Sequence, residues 1–236
     1  MRNPILVALD LPTAGAALAL ARQLAPVVGG FKVGSELFTN AGPEVVRQLR
    51  ARGSAVFLDL KFHDIPNTVA KAVAAAVQLD VQMLTVHTSG GLEMLRAAQK
   101  AAQESAAATS QTIPLVLGVT VLTSLDDGAL METGCGSSVT AQVERLAQLA
   151  ARAGLPGLVC SPREIAALRR LLPREVQLVT PGIRTGAEPA DDQKRTLTPS
   201  EALAAGADWL VIGRPICAAP DPRAAAARIA AECRVG

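Results

Sequence analysis

The chain has 236 residues, 50% of them hydrophobic, with aromatics at 2% and a formal net charge of only +2 at pH 7. That length buries a large core and suits an α/β barrel, while weak charge and few aromatics argue against a nucleic-acid surface, which needs clustered basic residues or stacking platforms. No run reaches the ~18 apolar residues of a membrane span, and MRNPILVALD ends in an acid rather than a small-residue cleavage site, so no signal peptide and a cytoplasmic location are expected.

ILVALD from Ile5 reads as the first strand, and the helix pattern TAGAALALARQLA follows with Thr13 as candidate N-cap. FKVG from Phe31 is the second strand. PEVVRQLRARG then starts on Pro43 and stops at Gly53, the usual asymmetry of helix ends. AVFLDL from Ala55 is the third strand, before the helix NTVAKAVAAAVQL. QMLTVH from Gln82 and PLVLGVT from Pro114 come next, then the helix SVTAQVERLAQLAARAG. GLVCS from Gly157 precedes PREIAALRRLLP; VQLVTPG from Val176 and DWLVIG from Asp208 are the last strands, and PRAAAARIAAEC closes the chain. Each strand is a short continuous apolar run, the mark of burial on both faces. Eight such runs, each followed by a helix or helix-like segment, predict a single (β/α)8 TIM barrel over residues 1–236. A doubly wound open sheet is the alternative, but ALDLPTAG offers no GxGxxG.

A barrel carries its site at the C-terminal ends of its strands. Polar groups fall there: Asp10, Lys32 with Gly34, Asp59 with Lys61, His87, Thr120 and Thr123, Gly182 with Arg184, and Gly213 with Arg214. In Asp59-Leu60-Lys61, strand alternation puts both charges on one face. If that face is the barrel interior the pair is largely desolvated. It then either closes a barrel layer or holds a protonated lysine ready to donate. Asp64, at the start of the next loop, can turn back to the lysine or reach a neighbouring molecule. PGIRTG and VIGRP form an expected anion clamp of backbone amides and guanidinium groups. The polar stretch RTGAEPADDQKRT between Arg184 and Thr196 reads as a lid.

Other residues read as structural. Cys135, Cys160, Cys217 and Cys233 have no metal-ligand spacing and are expected as reduced thiols. His63, inside the charged stretch, and His87 either donate a proton or, as expected here, pack or cap turns; Trp209 and Met83 are expected to lie in the core, and Arg169 and Arg170 to be solvated on their helix.

FLDLKFHDIPNTV resembles the Asp-x-Lys-x-x-Asp-Ile-Pro-Asn-Thr signature of the orotidine 5′-phosphate decarboxylase family, in its short bacterial form. VALD, KVG, VLTSL, TPGIR, DQKR and VIGRPI agree in order along nearly the whole chain. The resemblance implies a homodimer that converts orotidine 5′-monophosphate to UMP and CO2 with no metal and no organic cofactor. It implies Lys61 as proton donor, with Asp59 and Asp64 as its charged partners, Asp64 coming from the other subunit. It further implies Thr68 of the neighbour at the ribose, with Ile65 among the substrate-binding residues. Asp10 and Lys32 would hold ribose hydroxyls, and Thr123 would lie near the pyrimidine. Arg184, Gln193 on the lid, Gly213 and Arg214 would bind phosphate. Two rivals remain: a related Mg2+-dependent barrel acting on sugar phosphates, and a non-catalytic nucleotide sensor.

Overall fold

The computed structural model describes residues 3–136, 138–184 and 196–233. Eight parallel strands close into one barrel in chain order. They are β1 Ile5–Ala8, β2 Gly30–Gly34, β3 Val56–Phe62, β4 Met83–His87, β5 Leu115–Val119, β6 Gly157–Val159, β7 Gln177–Thr180 and β8 Trp209–Ile212. The helices outside it are α1 Ala14–Leu24, α2 Ser35–Ala41, α3 Glu44–Ala51, α4 Pro66–Val77, α5 Gly91–Thr109 and α6 Asp127–Glu132. α7 Val139–Arg152, α8 Ile165–Leu171, α9 Pro199–Ala205, α10 Arg214–Cys217 and α11 Pro222–Glu232 complete the ring. Every predicted strand is present, and the closed order rules out the open-sheet alternative. None of the described helices is long and apolar enough to cross a membrane.

The core has two layers because each strand faces two apolar surroundings. Leu6, Ala8, Phe57, Met83, Leu117, Val179, Trp209 and Val211 pack inside the barrel. Their neighbours along the strands, such as Ile5, Val7, Leu58, Leu84 and Leu210, pack outward against the helices. Trp209 and Met83 are core as expected, and the Trp209 indole N–H donates to Gln177 Oε1 at 2.8 Å.

Helix starts follow capping chemistry. Thr13 accepts from the Ala16 amide, and Ser138 from the Ala141 amide. α5 was not named as a separate helix from the sequence. It begins on Gly91 with no side-chain cap, so no start signal marks it.

The expectation for Arg169 is corrected. Its side chain is only 10% exposed and pairs with Asp208. Its Nε donates to the Gly206 carbonyl at 2.8 Å and Nη1 to the Val176 carbonyl at 2.6 Å. Gly206 ends α9 at φ +110°, and a Cβ there would stand 2.9 Å from Arg169 Cγ. Arg170 is exposed, as expected.

Candidate active site

The C-terminal ends of the strands surround a cavity of about 600 Å³. Asp10, Lys32, Asp59, Lys61, Thr123, Arg184, Gly213 and Arg214 all line it. Its floor is apolar, set by Ala8, Phe57, Val159 and Val211. Strand ends that are far apart in sequence meet here because a closed parallel barrel aims all of them at one rim.

Four of these residues form a chain of alternating charge. Lys32 Nζ lies 3.0 Å from Asp10 Oδ1 and 3.7 Å from Asp59 Oδ2. Lys61 Nζ lies 2.9 Å from Asp59 Oδ1. Asp59 and Lys32 side chains are 12% exposed, while Lys61 keeps 35% of its side chain open to the cavity. The pair is therefore partly desolvated rather than sealed in the interior: the carboxylate is buried and the ammonium faces ligand space. Gly34 makes room for this array, since a Cβ there would stand 2.9 Å from Lys32 Nζ.

Simple alternation does not account for how Asp59 and Lys61 meet. The β3–β4 register shifts between Leu58 and Phe62, and Lys61 adopts φ +51°, the left-handed region. A β-bulge thus aims the lysine. Thr85, which sequence reading did not single out, serves this bulge. Its hydroxyl accepts from the Lys61 amide at 2.9 Å and donates to Asp59 Oδ1 at 3.0 Å. The signal was present in QMLTVH, where a threonine interrupts an apolar strand at an inward position.

Asp64 does not turn back to Lys61. It is exposed, and its Oδ1 accepts from the Ile65 amide at 2.6 Å. Ile65 is 66% exposed, and residues 63–68, Thr68 included, are all exposed. Asp64, Ile65 and Thr68 therefore stand outside the cavity of their own chain. Gln193 and the expected lid span 185–195 lie outside the described residues.

On the anion side, Arg184 and Arg214 come from the neighbouring loops after β7 and β8 and line the cavity with Gly182 and Gly213. Gly182 has φ +79°, a conformation that favours glycine. The Arg184 amide donates to the Leu197 carbonyl at 3.0 Å, which fixes the position of the arginine's backbone.

The histidine rings stack with centroids 5.5 Å apart, tilted by 44°. Burial, then the nearby His63 and Lys61, hold His87 below its ordinary 6.5, with Asp59 pulling the other way. Cys217 and Cys160 also line the cavity. Burial and then Asp10 push the Cys217 thiol up to about 11. Burial and then Glu164 push Cys160 up to about 12. Both thiols stay protonated at neutral pH and are poor nucleophiles. Among the described residues no three His, Cys, Asp or Glu side chains gather as a metal site would require.

The site can hold an anion at one end and present a lysine ammonium at the other. The sequence matches the family model described as orotidine 5′-phosphate decarboxylase / HUMPS over residues 3–229. An orotidine 5′-phosphate decarboxylase of Moorella thermoacetica is 54% identical over 232 residues, spanning 98% of this chain and 92% of the relative. One from Pseudomonas aeruginosa is 53% identical over 231 residues, spanning 98% of this chain and 97% of the relative. Among solved structures, the orotidine 5′-phosphate decarboxylase of Lactobacillus acidophilus has a TM-score of 0.88 at 37% identity, covering 98% of this chain and 99% of the other.

Proposed function

The chain belongs to the orotidine 5′-phosphate decarboxylase family, and on that premise we propose how its barrel mouth works as a single-domain enzyme. It decarboxylates orotidine 5′-monophosphate to UMP in pyrimidine biosynthesis. One observation carries the mechanistic reading: the alternating array Asp10–Lys32–Asp59–Lys61 inside the cavity.

The C6–carboxylate bond breaks, CO2 leaves, and its electron pair stays on C6. That carbanion has no π-system to delocalise it. A cation beside C6 stabilises the developing charge, and a proton must reach it. Lys61 meets both needs: its Nζ–H gives a proton to C6, and the neutral amine regains one from water. Asp59 holds the ammonium in place at 2.9 Å. Asp10 and Lys32 would hold the ribose hydroxyls and Thr123 would contact the pyrimidine, all three lining the cavity.

Arg184, Arg214 and the amide of Gly213 take the phosphate, with Gln193 added from the lid. The phosphate is remote from C6, so its binding energy can drive closure of the site rather than act on the carbon directly. The reading uses no metal and no organic cofactor. Purified enzyme treated with EDTA should consume orotidine 5′-monophosphate at the untreated rate. Activity that disappears with EDTA and returns with Mg2+ would overturn this part.

The exposure of residues 63–68 supports a homodimer with shared sites. Their exposure leaves Asp64, Ile65 and Thr68 free to enter a second copy's cavity, with Ile65 supplying apolar contact. Mixing inactive Lys61→Ala and Asp64→Asn proteins should then restore about a quarter of wild-type activity, because half the dimers are hybrids and each hybrid has one intact site. No recovery on mixing would mean that each chain acts alone. A cytoplasmic location fits cysteines that are not joined in disulfides.

A further inference from the structure

We propose that Thr85 is a positioning residue for the decarboxylation, its one hydroxyl fixing both the backbone that aims Lys61 and the carboxylate that holds it. The inference rests on the reading of Lys61 as proton donor.

Thr85 is the middle residue of β4 and is fully buried. Met83, two residues before it, packs inside the barrel, so Thr85 also points inward. The register places Leu58 opposite Leu84 and Phe62 opposite Val86. Between those pairs, β3 runs through Asp59, Leu60 and Lys61 while β4 offers Thr85 alone. The Lys61 amide bonds a β4 side chain: the Thr85 hydroxyl accepts it at 2.9 Å. The same hydroxyl has one proton to give, and it goes to Asp59 Oδ1 at 3.0 Å. That oxygen also receives Lys61 Nζ at 2.9 Å.

Three groups thus converge through one oxygen of Asp59 and one of Thr85. Lys61 sits at φ +51°, a conformation that an L-residue keeps only when its surroundings impose it. The hydrogen bond that the Lys61 amide donates to the Thr85 hydroxyl imposes it from the neighbouring strand. The hydroxyl's proton orients Asp59 with Oδ1 toward Lys61 and leaves Oδ2 toward Lys32, 3.7 Å away. A barrel-filling threonine with no part in the chemistry would need only its volume. Here donor and acceptor are both committed to the catalytic pair.

Thr85→Val keeps the shape and removes the hydroxyl. Its kcat should fall about 100-fold, the effect of misplacing a reacting group by about 1 Å. KM and the Kd for UMP should move less than about threefold, because the phosphate clamp is untouched. Thr85→Ser should bring kcat back to within about fivefold of wild type. A folded Thr85→Val enzyme with wild-type kcat would overturn the proposal, as would a Thr85→Ser enzyme as slow as Thr85→Val. If Thr85→Val does not fold, amide hydrogen exchange on the wild-type enzyme decides: a Lys61 amide that exchanges as fast as an unbonded one also overturns it. Lys61→Ala, assayed alongside, separates the two readings. An active Lys61→Ala enzyme sinks the proton-donor assignment, whereas an inactive one beside fully active Thr85→Val sinks only the role of Thr85.

Discussion

Replacing Lys61 with alanine is expected to lower kcat by about 10⁴-fold or more, since general-acid catalysis and charge stabilisation each contribute about 10² or more and both reside in this ammonium. Binding of UMP should persist to within about tenfold. Arg184, Gly213 and Arg214 line a different part of the cavity wall, and Lys32 still pairs with Asp10 at 3.0 Å. The two readouts together carry the meaning. Loss of kcat with retained binding marks a group that acts in the transition state. Steady-state kinetics with calorimetric UMP titration measures both. A kcat within tenfold of wild type would show that another group delivers the proton.

Arg169→Ala is expected to cost about 3–5 kcal/mol of stability with no loss of catalytic competence in the folded enzyme. The guanidinium bonds the carbonyls of Gly206 and Val176 and the carboxylate of Asp208. Asp208 Oδ2 in turn accepts the Leu178 amide at 2.7 Å. One side chain on α8 therefore ties together the segments that enter β7 and β8. These contacts lie at the N-terminal end of the strands, the end opposite the cavity, where a barrel's interactions serve stability rather than chemistry. Removing the cation leaves a partly buried carboxylate unpaired and carbonyls without a donor, a mechanism that typically costs this much. Urea unfolding with an unchanged m-value and a lower midpoint would report it. An unchanged midpoint would mean water replaces the arginine at little cost.

The strands were legible because a strand buried on both faces leaves a continuous apolar run, and every one of them lies where such a run does. The rim was legible because a parallel barrel gives strand ends a single address. The bulge at Lys61 was not. A lysine at φ +51° leaves no mark in the sequence, as a glycine would have done, and alternation gave the right contact between Asp59 and Lys61 by an incomplete route. Thr85 was readable only as a polar interruption in an apolar strand. Arg169 was misread because an arginine on a helix is usually solvated. What buries it are carbonyls and a carboxylate 7 to 39 residues further along the chain, and local pattern carries no trace of those contacts. Asp64 could not be placed by sequence, and within its own chain its carboxylate accepts the neighbouring Ile65 amide.

The central claim is that Lys61 passes its proton to C6, and hydrogen exchange at that carbon tests it most directly. By microscopic reversibility, the group that protonates C6 in decarboxylation also removes the C6 proton of UMP. In D2O, NMR should show that wild-type enzyme gives UMP deuterated at C6 and slowly exchanges the C6 proton of added UMP. Lys61→Ala should saturate with UMP and exchange nothing. Exchange by that variant at the wild-type rate would contradict the account.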